Sequence, residues 1–105
     1  MSNFTVIFTD DTELAEYEAV NKGYRNDVFV KIQDDYYNLR IYDIIRLTQD
    51  FESEVKEYGY YSTETNLVLV TEVNTENIKE VIYRLYDDGY FKHLKPVDIG
   101  IHGLA

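Results

Sequence analysis

Between Asp27 and Tyr42 apolar and polar side chains alternate with a period of about two, the signature of strands. Val28, Val30 and Ile32 point one way, and Phe29, Lys31 and Gln33 point the other. Tyr37, Leu39 and Ile41 then alternate with Tyr36, Asn38, Arg40 and Tyr42. Only Asp34-Asp35 separates the two runs, so a tight antiparallel hairpin is expected, because aspartate tolerates turn conformations. From Asp43 the period lengthens to about 3.6. Ile44, Leu47, Phe51, Val55 and Tyr58 fall on one stripe of a helix that Asp43 caps and Gly59 stops.

The stretch Asn66–Phe91 organises the rest. Leu67-Val68-Leu69-Val70 is an uninterrupted apolar run, which reads as a central strand buried on both faces. Asn74 or Thr75 caps a second helix, Glu76 complements the positive end of its dipole, and Gly89 ends it. Ile78, Val81, Ile82 and Leu85 form its apolar stripe. At the N-terminus, Phe4, Val6 and Phe8 mark one face of a strand. Residues 10–26 read equally as a loop with one turn or as a short helix, capped by Thr12 and stopped by Gly23. On that helix Leu14, Tyr17 and Val20 share a side, and Glu13, Glu16 and Glu18 face solvent. In the tail, Val97, Ile99, Ile101 and Leu104 alternate as in an edge strand, against which Gly100 and Gly103 count. The expected fold is α+β, an antiparallel-rich sheet of four or five strands with two amphipathic helices packed on one face, all in one domain spanning 1–105.

Composition changes the picture in one respect, charge. Twenty acidic residues against ten basic ones leave a formal net charge of -10, which repels nucleic acid and anionic lipid and attracts a basic protein. Eleven tyrosines and five phenylalanines exceed what the core of a 105-residue chain can hold, so some tyrosines are expected at the surface as contact residues. The absence of cysteine excludes disulfides, thiol nucleophiles and thiolate metal sites, and fits a reducing compartment. No apolar run reaches the roughly 18 residues of a membrane span, and Met1-Ser2-Asn3-Phe4 has no signal-peptide character; a cytoplasmic protein is expected.

The residues offer little catalytic chemistry. His93 and His102 lack the spacing of a zinc pair, Ser62 has no nucleophile elbow around it, and the five glycines form no phosphate loop. Asp10-Asp11, Asp34-Asp35 and Asp87-Asp88 sit at element ends as solvated turn residues. No cofactor, no metal and no enzymatic activity are expected. Asp87-Asp88 is unusual, because it lies in the last turn of a helix, where the dipole disfavours anions. Either Arg84 or Lys92 neutralises it, or a basic partner does.

Two patches therefore stand out as candidate partner-binding residues. On the helix from Asp43 to Tyr58, Asp50, Glu54 and Glu57 turn outward, followed by Tyr58, Tyr60 and Tyr61. At the end of the other helix, Asp87 and Asp88 are accompanied by Tyr86 and Tyr90. In size, charge and α+β character, and in the stretches Asp43–Tyr61 and Asn66–Phe91, the chain resembles bacterial immunity proteins of contact-dependent growth inhibition and related polymorphic toxin systems. That resemblance implies an inhibitor that neutralises a cognate toxin, a nuclease being the expected kind, encoded beside it. The alternatives are an acidic nucleic-acid mimic that inhibits a host defence enzyme, of the anti-restriction or anti-CRISPR type, and a housekeeping adaptor or subunit.

Overall fold

The computed structural model describes residues 3–98. The hairpin of β2 (Tyr24–Ile32) and β3 (Asp35–Tyr42) is the spine of the molecule, in the register Val28↔Leu39, Val30↔Tyr37 and Ile32↔Asp35. Its turn is Gln33-Asp34, one residue earlier than the alternation suggests, with Gln33 in the left-handed region at φ 56°. Strand β1 (Phe4–Phe8) lies antiparallel to β2, and β4 (Leu67–Leu69) lies parallel to β3. The fold is α+β, with a mostly antiparallel four-stranded sheet in the order β1-β2-β3-β4.

Strand β2 starts three residues before the alternation begins, because an irregularity between Arg25 and Val28 breaks the period. The extra residue returns Arg25 to the face that carries Val28. One face of the sheet is thus built by Phe4, Val6, Phe8, Val28, Val30, Leu39, Ile41 and Val68. Against it pack helix α1 (Glu13–Lys22) through Ala19, helix α3 (Thr75–Asp87) through Ile78 and Ile82, and the 3-10 turn Tyr90–His93 through Phe91. Among the described residues no helix is long and apolar enough to cross a membrane.

Strand β4 is not central. It is an edge strand of three residues in which Val68 faces the core and Leu69 stays 46% exposed. An apolar run does not itself dictate a central position. Here only Val68 and Val70 reach the core, while Leu67 and Leu69 lie on the opposite face beside Arg40 and Tyr42. Beyond β4 the same edge of β3 is occupied by the chain's last described stretch, since Val97 N donates to Tyr36 O at 2.7 Å. Residues 94–98 form no strand beyond that bond, and Ile99, Ile101 and Leu104 of the expected edge strand lie outside the described residues.

Helix α1 forms between the expected signals, with Thr12 Oγ1 accepting from Ala15 N and Gly23 at φ 75°. Its inward side differs from the expectation. Leu14 and Tyr17 are 65% and 68% exposed, and small Ala19 is buried instead, letting the helix lie close to β2. Glu16 is not a free solvent group, because its carboxylate accepts from Thr75 N at 2.6 Å and so satisfies an end amide of α3.

The largest departure is helix α2 (Ile44–Tyr58). Asp43 caps it through Arg46 N at 2.8 Å and Gly59 ends it at φ 82°, as expected, but it does not join α3 on the core face. None of its side chains is fully buried. It leaves the sheet at Tyr42 and rests on the opposite face, where the Arg46 guanidinium stacks 4.4 Å from the Tyr24 ring centroid. The core face is closed by α1, α3 and the 3-10 turn, and α2 lies instead on the side of the sheet that carries Tyr24, Phe29 and Tyr42.

Candidate functional site

Because α2 lies off the core, its apolar stripe reaches the surface. Ile44, Phe51 and Tyr58 are 62%, 51% and 62% exposed, and Ile45 beside them is 67% exposed. At about 100° per residue, Glu54 and Glu57 stand along one border of this stripe, and Glu52 and Lys56 along the other. The connection that follows closes one end of the surface. Tyr61 meets Phe51 edge-on at 6.3 Å, and Leu47, Thr48, Phe51, Tyr61 and Thr63 line a shallow notch of about 190 Å³. Burial and the nearby Asp50 carboxylate push the Tyr61 phenol above its usual value, so it is a neutral hydroxyl at physiological pH.

The expected site residues separate into contact groups and structural groups. Glu57, Tyr58 and Tyr60 are exposed and Glu54 is half-buried. Asp50 is not an outward charge, because it pairs with Arg46 at 3.1 Å and so helps hold α2 against Tyr24. Tyr61 is half-buried against Phe51. In the second patch Asp87 and Asp88 are exposed, and Arg84, a candidate to neutralise them, pairs with Glu80 at 3.0 Å instead. Both tyrosines there are occupied by packing. Tyr86 lies 4.8 Å from the Phe4 ring, while Tyr90 meets Phe91 edge-on and donates to Thr65 O at 3.1 Å. Burial pushes the Tyr90 phenol above its usual value.

A larger cleft of about 460 Å³ lies between β1, α1 and the start of α3, lined by Asp11, Glu16, Arg25, Thr75 and Lys79 among others. Its central groups are committed internally. Buried Arg25 pairs with Asp27 at 2.7 Å, donates to Asp10 O and stacks 4.3 Å from the Phe8 ring centroid. Burial alone would raise the Asp27 pKa, but the Arg25 guanidinium and the Asp10 amide more than offset it and hold the carboxyl below its usual range. The Thr75 backbone amide does the same for Glu16. This network ties β1, α1 and α3 together and occupies Glu16, Arg25 and Asp27.

Comparisons with protein families, curated proteins and solved structures find no match. What distinguishes the α2 surface is therefore its physical composition. Sequence reasoning found its carboxylates and tyrosines and missed Ile44, Ile45 and Phe51, whose spacing is that of any core-facing helix. The one available signal was the surplus of large apolar side chains over what a small core can hold.

Proposed function

We propose that this chain is a cytoplasmic, non-enzymatic protein-binding inhibitor, similar in kind to the immunity proteins that neutralise a cognate bacterial toxin. The observation that supports this reading is the amphipathic helix α2, whose apolar stripe stands exposed beside Glu54, Glu57, Tyr58 and Tyr60 on a molecule of net charge -10. Apolar and aromatic side chains at the centre of an interface supply affinity by desolvation, while surrounding carboxylates select a basic partner and speed its approach. A toxin nuclease has a basic, nucleic-acid-binding surface and is the kind of partner such a site suits. The test is co-expression with the protein encoded by the adjacent gene. Inhibition by a stoichiometric, co-purifying complex is expected. An adjacent product that neither binds the chain nor loses activity in its presence would contradict the proposal.

A further inference from the structure

We infer that the α2 stripe is the docking site for a basic amphipathic helix of a partner protein. This inference rests on the protein-binding reading above and specifies its geometry. Ile44, Phe51 and Tyr58 are spaced seven residues apart, about two helical turns each, so they present one straight apolar line. The fifteen residues of α2 extend about 22 Å, a length that a partner segment of similar size would match. Such a segment needs apolar anchors at i, i+3/i+4 and i+7, one of them large enough for the notch between Phe51 and Tyr61.

Charge selects among possible occupants. Glu54 and Glu57 border the stripe on one side, and neither is in an ion pair among the described residues, whereas Asp50 is held by Arg46. The matching helix therefore carries Lys or Arg along one flank of its own apolar face. A second copy of this chain would bring another net -10 surface to the same place, so self-association through α2 is disfavoured.

The experiment titrates the full ¹⁵N-labelled chain with a synthetic peptide of leucine and lysine patterned at helical period, and follows the amide shifts. Shifts concentrated in residues 44–63 are expected. Ile44→Ser with Tyr58→Ser should weaken binding about tenfold or more without lowering Tm appreciably, since both side chains are 62% exposed. Glu54→Lys with Glu57→Lys should weaken it and flatten its salt dependence, whereas Asp87→Lys with Asp88→Lys should change affinity less than about twofold. Shifts centred on Asp87 and Asp88, or unchanged affinity in the Ile44 and Tyr58 variant, would overturn the α2 assignment and leave the acidic-binder reading standing. No binding of the basic peptide anywhere at low salt would count against both. Concentration-dependent α2 shifts without peptide would assign the face to a second copy, and α2 shifts on deletion of residues 99–105 would assign it to the chain's own tail; either outcome overturns the inference.

Discussion

Gly23 joins α1 to β2 at a point with no room for a side chain. A Cβ placed there would lie 2.6 Å from an oxygen of the Asp43 carboxylate, the group that caps α2, and the backbone is left-handed at φ 75°. Gly59 has a similar backbone at φ 82° and open space around it. Gly23→Ala should therefore cost on the order of 2–4 kcal/mol, from left-handed strain plus a disturbed cap, and Gly59→Ala only about 1–2 kcal/mol. Urea denaturation of the two variants separates the contributions. In the core, Ile82→Ala should cost about 2–5 kcal/mol at a fully buried site, and Leu85→Ala clearly less because its side chain is half-buried. The polar network has a pH signature. Asp27 and Glu16 have lowered pKa values in the folded chain, so as pH falls below the unfolded carboxylate range the unfolded state takes up protons first. Their stabilisation is thus complete at neutral pH and is lost as pH falls through their folded values. Asp27→Asn and Glu16→Gln should each lower stability at pH 7 and flatten the fall in Tm between about pH 5 and pH 2.

At the scale of elements, the parts legible in the sequence are those that local chemistry decides. Thr12, Asp43 and Asn74 cap the three helices as their side chains suggest, and the alternation of Val28 to Tyr42 sets the sheet faces. Placement was less legible, because it depends on which faces compete for one core. The stripes of α2 and α3 have the same spacing, yet Ile78 and Ile82 are buried and Ile44 and Phe51 are not. Likewise Leu14 and Tyr17 look like the inward side of α1, but Ala19 permits the closer approach and is buried instead. The run Leu67–Val70 lies at the sheet's edge with Val68 and Val70 in the core and Leu69 exposed, so its unbroken apolarity did not mark a strand covered on both faces. If α2 is held mainly by Arg46 on Tyr24 and by Phe51 on Tyr61, its amides should exchange with solvent sooner than those of α3. Hydrogen exchange checks this directly, with equal protection of α2 and α3 as the contrary result.

For the molecule as a whole, the dominant physical fact is the net charge of -10. On the proposed reading, a field of that sign disfavours nucleic acid and steers a basic protein, and the exposed apolar line of α2 is the short-range contact that holds it. The candidate surface was thus half legible. Its charges and tyrosines follow from composition, whereas its apolar centre emerged only from the placement of α2. The most direct measurement is the association rate between this chain and the protein encoded by the adjacent gene, taken across a salt series. A rate that falls steeply with salt for the native chain, and is slower and less salt-dependent for Glu54→Lys with Glu57→Lys, is the expected result. Native association that ignores salt, or a reversed variant that binds just as fast, would contradict the account.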